Sequence, residues 1–387
     1  MNQETRNLVY LLNCALNGQK ADKKQVLEMN LAEVFTLAEY HKVAACVAFA
    51  LDGIGLDNDT YKPWKQAKSM SVRKNIMLNE ERNQIYSYME DNGIRYVSLK
   101  GIVMQNLYPK FGMREMGDND ILYDSAYQEQ MYDFMIERGY DAEIHRNYYH
   151  DEYTKPPIYN IELHASLFNR SEYPKFYDYY DGIINRLVHV SNKKYELCFS
   201  DEDFYIYNIV HSYKHYSTGG TGIRLLTDCY VFLSSKKASL DIEYIENECN
   251  RLEIGDYEKN CRLLSLKLFS SDDYNNIEEQ LTEDEKKFFN RIIISGVYGR
   301  QELGIESKLN SFVVDDQNLK FVKIKYYFSR LFPTIESIKD FYPFFYRHKI
   351  LIPFLWVYRI LRELTVNRKR LKSEIKSVDD TIANMNK

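Results

Sequence analysis

The sequence predicts an α+β fold in which a small mixed sheet is flanked by N-terminal and C-terminal helical regions. Between residues 4 and about 90, apolar side chains recur at the i, i+3, i+4 spacing of amphipathic helices. From residue 94 to residue 164, short β-rich runs alternate with helical segments, which is typical of a compact α/β core. After Glu172 the helical spacing returns. These changes of periodicity define the predicted architecture.

Residues 1–92 are predicted to form an N-terminal helical region. Short helices lead to a break at Asp52-Gly53, and one long helix then runs from about Tyr61 to Asp91. Asn92-Gly93 is expected to end this helix, because these residue types favour the left-handed conformation that closes helices.

Residues 93–190 are predicted to form the α/β core. The chain here changes repeatedly from period two to helical spacing, so strands and helices are expected to alternate. The predicted strands are 94–99, 119–123, 141–146 and 157–164, and the predicted helices are 102–108 and 126–138.

Residues 191–300 are predicted to form a helical domain that completes a cleft, and residues 301–387 a C-terminal helical extension. A strand or turn at 195–199 precedes a helix over 204–216, for which Ser200 and Asp201 supply the cap. A glycine-rich run, residues 219–222, breaks that helix. Further helices are predicted over 223–234, 241–252, 256–269 and 282–297.

Composition and charge narrow the class of protein. The 387 residues are 45% hydrophobic, which suffices for a folded core, and the net charge is −5 with a pI of about 6.0. Because domains that coat nucleic acid are usually basic, nucleic acid is not expected as a partner, and a small-molecule or protein acceptor fits better. No stretch reaches the ~18 uncharged apolar residues of a membrane-spanning helix. The N-terminal segment lacks a secretory cleavage site.

The cysteines indicate a reducing compartment. None of them forms a C-x-x-C pair, so they are expected to be buried thiols of a cytoplasmic protein. They are Cys14, Cys46, Cys198, Cys229, Cys249 and Cys261.

The C-terminal part combines apolar and basic residues. Residues 341–364 are rich in aromatic and aliphatic side chains, and the following residues 367–372 are strongly basic. A basic amphipathic helix can lie on an anionic membrane surface, which would make the protein peripheral to a membrane. A core helix with a solvated end explains the same pattern. The sequence leaves both interpretations open.

The segment from Tyr96 to Asp120 carries the strongest functional signal. Asp118 and Asp120 lie at the entry to a predicted strand, so strand periodicity sends both carboxylates to the same side. Two carboxylates aimed together repel each other and favour a divalent cation, and hard oxygen ligands suit Mg²⁺, with Mn²⁺ as the alternative. Glu162, which alternates with apolar neighbours on a later strand, is the candidate third carboxylate.

Lys100 and Gly101, which precede the carboxylates in the chain, indicate phosphate binding. Gly101 lies at a predicted strand-to-helix turn, where the missing Cβ allows backbone N–H groups to approach an anion. Lys100 adds a positive charge beside this turn.

Four short motifs follow one another in an order that resembles that of a known protein family. The chain reads Leu-Lys-Gly, Leu-Tyr-Pro, Arg-x-x-Gly-Asp-x-Asp-Ile-Leu and then Ile-Glu-Leu-His. This order resembles a bacterial family of uncharacterised nucleotidyltransferases in the DNA polymerase β-like superfamily. The resemblance implies that Asp118, Asp120 and Glu162 hold two magnesium ions. Lys100-Gly101 occupies the place of the superfamily's Gly-Ser turn, which handles the nucleotide triphosphate.

Other polar side chains are candidates for nucleotide or acceptor contacts. Arg114 is expected either to contact phosphate oxygens or to neutralise the aspartates. His164 shares a strand face with Glu162, where it can orient a ligand, touch a phosphate or serve as a structural histidine. The resemblance further suggests that one helical region lines the nucleotide or acceptor side of the cleft, although a core or capping role explains each member equally: His211, His215, Arg224 and Asp228.

The sequence therefore predicts transfer of a nucleoside monophosphate from an NTP to an unidentified acceptor hydroxyl or phosphate. Two alternatives stay open. Glycosyltransferases also use Asp-x-Asp to bind a metal and a nucleotide sugar, although the helical N-terminal region disfavours their fold order. A degenerate nucleotidyltransferase that binds a nucleotide without turnover is the second alternative. An unused cluster of carboxylates argues against it because like charges repel.

Overall fold

The computed structural model describes residues 1–144, 149–237, 239–270, 276–313 and 319–385. It confirms the α+β class, with one seven-stranded mixed sheet and helices from the N-terminal and C-terminal parts of the chain around it. Among the described residues, no helix is both long enough and apolar enough to cross a membrane.

Five helices precede the sheet. Asp57 caps the longest of them by accepting a hydrogen bond from the Thr60 N–H, and Gly93 follows its end with a φ of 73°. The predicted long helix is therefore confirmed, with a start three residues earlier than expected. The bounds are α1 Gln3–Leu16, α2 Lys23–Leu27, α3 Leu31–Tyr40, α4 Ala44–Leu51 and α5 Asn58–Asp91.

The sheet has the strand order β3-β4-β5-β2-β1-β7-β6. β2 pairs in parallel with β5 and antiparallel with β1, and β1 pairs in parallel with β7. β7 lies beyond the predicted domain limit at residue 190, and the domain limits themselves stay a prediction. The strands are β1 Tyr96–Ser98, β2 Asn119–Tyr123, β3 Asp141–Ile144, β4 His150–Lys155, β5 Tyr159–His164, β6 Val188–His189 and β7 Glu196–Cys198.

Two strands, β4 and β6, were missed by the sequence prediction. β4 has two buried side chains, and one of them is Asp151, to which the Gln128 amide donates a hydrogen bond of 3.0 Å. A buried aspartate hides the alternation of apolar and polar residues by which a strand is recognised. β6 has only two residues. The predicted strand over 157–164 begins at Tyr159, and residues 145–146 of another predicted strand lie outside the described residues.

Short helices connect the strands of the core. The predicted helix over 102–108 is wrong in its bounds, because the helix begins at Lys100 and ends after five residues. The segment that follows it carries turns before β2. The bounds are α6 Lys100–Met104, α7 Gln128–Glu137 and α8 Pro174–Tyr180.

The helices after β7 fall into two groups. The first packs on the core, and Ser200 caps its first helix, as predicted, by accepting from the Asp203 N–H. Its bounds are α9 Asp201–Thr218, α10 Arg224–Lys236, α11 Ile242–Arg251, α12 Gly255–Ser270 and α13 Glu283–Ser295. The second group is attached through its first helix, which packs against α9. Its bounds are α14 Gln301–Asn310, α15 Leu319–Leu331, α16 Ile335–Phe341, α17 Pro343–Arg347, α18 Ile352–Thr365 and α19 Arg368–Met385.

Candidate active site

A cluster of acidic and imidazole groups lies where β2 and β5 run side by side. The parallel register places Asp120 directly opposite Glu162. His164, two residues further along β5, brings its Nε2 to 3.0 Å from Asp120 Oδ1 and 3.3 Å from Glu162 Oε2. One ligand-capable atom of each residue lies within 4.8 Å of the others. We call Asp120, Glu162 and His164 the acidic cluster.

Lys100 neutralises part of this cluster. Its Nζ donates a hydrogen bond of 2.6 Å to Asp120 Oδ1 and lies 3.9 Å from Glu162 Oε2. Burial alone would raise the pKa of Asp120, but the Lys100 ammonium and the His164 hydrogen bond hold it well below its usual value. Lys100 has a φ of 42°, a left-handed conformation that costs a non-glycine residue on the order of 1 kcal/mol. This strained turn brings a cation to the carboxylates.

Asp118 lies one residue before β2 and lines the same cleft as Asp120 and Glu162. Its carboxylate makes no hydrogen bond or salt bridge with any residue that the structure describes. Burial and the nearby Asp120 charge raise the pKa of Asp118 to about 6. Asp118 is therefore a partly buried carboxylate that lacks a compensating hydrogen bond.

The donor set fits a divalent metal ion. Asp118, Asp120 and Glu162 line one cleft, the buried His164 imidazole contacts two of these carboxylates, and carboxylate oxygens are the ligands that Mg²⁺ and Mn²⁺ favour. Burial, and after it the repulsion by Asp120, raises the pKa of Asp118, and a bound cation would favour the charged carboxylate against both effects. Asp118, Asp120 and Glu162 can hold such an ion, with His164 as a further donor.

Gly101 permits close packing of Arg114. A Cβ at Gly101 would lie 2.5 Å from Arg114 Nη1 and 2.9 Å from Met116 Cε. Arg114 forms two parallel hydrogen bonds of 2.9 Å with the Asp228 carboxylate, and the Tyr108 hydroxyl donates a third of 2.7 Å to Asp228. The guanidinium of Arg114 therefore donates two hydrogen bonds to Asp228, so two of the predicted site residues form a pair with each other.

The opposite wall of the cleft is made by α9 and α10. His211 and His215 lie on one face of α9 with their Nε2 atoms 3.2 Å apart, and Arg224 begins α10. Burial keeps both imidazoles neutral, lowering the pKa of His215 to about 4 and that of His211 well below its usual value. Among the residues that the structure describes, the Arg224 guanidinium donates a hydrogen bond only to the Glu115 carbonyl oxygen, at 3.5 Å.

Four further cations that sequence reasoning missed line the cleft: Lys42, Arg73, Lys74 and Lys214. Lys214 donates a hydrogen bond of 3.3 Å to the Tyr149 hydroxyl and makes no salt bridge with a described residue. Burial and the Lys100 charge lower the pKa of Lys214 to about 8. Lys74 of α5 donates to the Gly117 carbonyl at 3.0 Å. The spacing of Lys214 from His211 on α9 was a usable signal, whereas nothing local marks Lys74.

The structure brings the predicted residues together around one cleft of about 1110 Å³. His164 is the exception, because it is buried behind Asp120 and Glu162 rather than lining the cleft. The lining residues among those predicted are Lys100, Gly101, Arg114, Asp118, Asp120, Glu162, His211, His215, Arg224 and Asp228.

Comparisons with known proteins identify the family. Residues 28–270 match the family described as uncharacterised nucleotidyltransferase, a range that includes both walls of the cleft. Searches among curated proteins and among solved structures gave no match. Since the matched range spans more than half of the sequence, the chain belongs to the uncharacterised nucleotidyltransferase family.

Proposed function

We propose that this protein is a metal-dependent enzyme that transfers a nucleoside monophosphate from an NTP to an acceptor hydroxyl or phosphate. The observation that carries the proposal is the juxtaposition, across one cleft, of carboxylates on β2 and β5 with cations on α5, α9 and α10. Membership of a nucleotidyltransferase family supports the same reaction class.

Asp118, Asp120 and Glu162 hold the metal in this proposal, with Mg²⁺ as the expected ion and Mn²⁺ as the alternative. A bound divalent ion supplies charge neutralisation for the triphosphate and acidifies an acceptor hydroxyl. His164 orients Asp120 and Glu162 through its contacts of 3.0 and 3.3 Å.

Glu162 is the best placed residue to accept the acceptor's proton. Its side chain is 22% exposed, whereas the Asp120 side chain is 4% exposed and is already bonded to Lys100 and His164. An acceptor entering the cleft can therefore approach Glu162 more readily than Asp120. A carboxylate at the mouth of the acidic cluster is suited to proton abstraction.

The triphosphate is bound by cations that have no carboxylate partner. Lys214, Arg224 and Lys74 face the cleft, and none of them makes a salt bridge within the described part of the chain. Their uncompensated charges attract phosphate oxygens and hold the transferred group in position. Arg114 is placed differently, because its bonds to Asp228 tie the β1–β2 connection to α10.

The two alternative functions receive less support. The family match favours nucleotidyl transfer over a nucleotide-sugar glycosyltransferase. A binding module without catalysis explains the cations, but it assigns no role to Asp118, whose carboxylate is partly buried and accepts no hydrogen bond from a described residue. The six free cysteines suit the reducing cytoplasm in which we place the enzyme.

The test follows the transferred phosphorus. The protein is incubated with each of four NTPs labelled at the α-phosphate, with Mg²⁺ and with fractionated small molecules or proteins as acceptors. We expect label to move from one NTP to one acceptor class with release of pyrophosphate, and transfer by the Asp118→Asn variant to fall on the order of 1000-fold. Hydrolysis of nucleotide sugars without transfer from any NTP would contradict the proposal.

A further inference from the structure

The helix α18 carries an apolar stripe on its exposed side. Phe354, Val357, Tyr358, Leu361 and Leu364 follow the i, i+3, i+4, i+7 spacing, and each side chain is at least 51% exposed. The buried side of this helix is marked by Leu355. A helix of a water-soluble domain normally shows the opposite pattern, with its apolar face inward. We call these five residues the α18 stripe.

The neighbouring helix α15 repeats the pattern. Phe321, Ile324 and Phe328 are spaced by three and four residues and are 62–67% exposed. Phe328 contacts Phe332 with ring centroids 4.6 Å apart, and Phe332 contacts Trp356 of α18 at 5.0 Å. These ring contacts connect the exposed apolar side chains of α15 with α18. Single apolar residues on a surface are ordinary, whereas a continuous patch marks a contact site.

The same segment is strongly basic within an acidic protein. Residues 319–372 contain 13 Lys or Arg and three Asp or Glu, a net charge of +10, while the whole chain carries −5. Several of these cations make no salt bridge with any described residue, which leaves their charge available to an external partner: Arg347, Lys349, Arg362, Arg368, Arg370 and Lys372.

We propose that residues 319–372 bind the surface of an anionic membrane. In this arrangement the α18 stripe enters the boundary between headgroups and acyl chains, and the unpaired cations contact lipid phosphates. Apolar helical faces flanked by Lys and Arg are the features that interfacial helices share. The length of α18, 14 residues, suits a helix that lies in the interface.

The charge and the residue types of this surface disfavour a second copy of the chain or single-stranded nucleic acid as its partner. A second copy of the chain would place two surfaces of like charge against each other, which opposes dimerisation through this patch. Single-stranded nucleic acid binds basic grooves through stacked aromatic rings, whereas Val357, Leu361 and Leu364 are aliphatic. Lipid acyl chains accept aliphatic and aromatic side chains alike, so an anionic membrane satisfies both the charge and the residue types.

The experiment measures co-sedimentation of the full-length protein with vesicles. Vesicles of phosphatidylcholine alone are compared with vesicles in which phosphatidylserine or phosphatidylglycerol replaces part of it, at low and high salt. We expect binding to the anionic vesicles only, weakened by salt because exposed charges are screened. Absence of binding to anionic vesicles, or equal binding to neutral ones, would overturn the proposal.

Two sets of substitutions separate the apolar and electrostatic parts. Phe354→Ser, Val357→Ser and Leu361→Ser together change only exposed side chains, so we expect the fold to persist and vesicle binding to fall by more than about 10-fold. Arg368→Gln, Arg370→Gln and Lys372→Gln should weaken binding on the order of 100-fold, since each basic residue contributes about a factor of five.

Matched controls replace apolar residues that are equally exposed elsewhere. Leu27→Ser, Ile76→Ser and Val188→Ser alter side chains that are 63%, 56% and 58% exposed and lie outside residues 319–372. This variant should bind vesicles as the wild type does. If the α18 variant also binds vesicles normally, the proposal is wrong. The proposal is also wrong if the wild type is a dimer and the α18 variant is a monomer, because the α18 stripe then binds a second copy of the chain.

Discussion

The two walls of the cleft differ in how their charges are compensated. On the sheet side, Asp120 is bonded to both Lys100 and His164, and its position is set by pairing with Glu162 across β2 and β5. On the helical side, the hydrogen bonds that Lys214 and Arg224 donate within the described part of the chain go to a hydroxyl and a carbonyl oxygen, and neither cation contacts a carboxylate there. On the sheet side, side chains of the protein itself compensate the charge of Asp120. On the helical side, no described side chain compensates the charges of Lys214 and Arg224.

This difference separates charges that stabilise the fold from charges that are available to a ligand. A buried charge with a close partner stabilises the fold as part of a pair, and removal of one partner leaves the other uncompensated. A charge without a partner costs stability in the free protein and is retained when a ligand uses it. Asp118 belongs to the second kind although it lies on the sheet side. Substitutions at these charged residues test this assignment one residue at a time.

The largest expected effect is on catalysis, at Asp118. Asp118→Asn should lower transfer on the order of 1000-fold, because it removes a metal ligand, while stability to urea stays unchanged or rises since no partner is lost. Transfer rate and urea midpoint are measured together. Asp133→Asn, which changes an exposed aspartate on α7, is the control and should transfer normally. Full activity of Asp118→Asn would remove this residue from the site.

Asp120→Asn should behave differently from Asp118→Asn. It leaves the Lys100 ammonium buried without its 2.6 Å partner, so the free energy of unfolding should fall by about 3–5 kcal/mol. The double variant Asp120→Asn with Lys100→Met should recover part of that loss, because the stranded charge is then absent. Urea unfolding of the three proteins measures the effect. Equal stability of Asp118→Asn and Asp120→Asn would erase the proposed distinction between paired and unpaired carboxylates.

Lys214 tests the helical wall. Lys214→Met should weaken NTP binding about 10- to 100-fold, the range expected for one charged hydrogen bond, and Lys237→Met, at an exposed position, should not. Affinity is measured by titration calorimetry. A loss of stability in Lys214→Met with unchanged affinity would assign this lysine to the fold instead.

Lys214 should also make the affinity for an NTP depend on pH. Because the pKa of Lys214 in the free protein is lowered to about 8, the cation is present below that pH and is lost as pH rises through it. Wild-type affinity for an NTP should therefore decline between pH 7 and pH 9. Lys214→Arg should decline less, because arginine stays protonated throughout this range. The charged groups that influence the pKa of Lys214 are Lys100, which lowers it, and Glu162, Asp120 and Glu172, which raise it.

The smallest expected effect is at His215. Its pKa of about 4 keeps the imidazole neutral above pH 5, so it offers no charge to a phosphate. His215→Gln should change NTP affinity by at most about 10-fold, the upper limit for one neutral hydrogen bond. A loss as large as that of Lys214→Met would show that charge is not what distinguishes the helical wall.

Local patterns in the sequence predicted the class of fold, and local patterns together with the family resemblance predicted ten of the residues that line the cleft. Alternation along two strands marked Asp120 and Glu162, and cap residues such as Ser200 marked helix starts. Contacts between distant segments left no local trace. The Arg114–Asp228 pair joins residues 114 positions apart, and the buried Asp151 obscured β4. Burial of Lys100 beside Asp120 likewise depends on the sheet being assembled.

The most direct test of the central claim is the thermal stability of wild type and Asp118→Asn with each NTP, in the presence and absence of Mg²⁺. A ligand that binds only the folded state raises the melting temperature, so the measurement reports the triphosphate site without requiring the acceptor. We expect a Mg²⁺-dependent rise in the melting temperature of the wild type with a preferred NTP, and we expect Asp118→Asn to lose it. No rise with any NTP, or an equal rise in both proteins, would contradict a metal-bound triphosphate at these carboxylates.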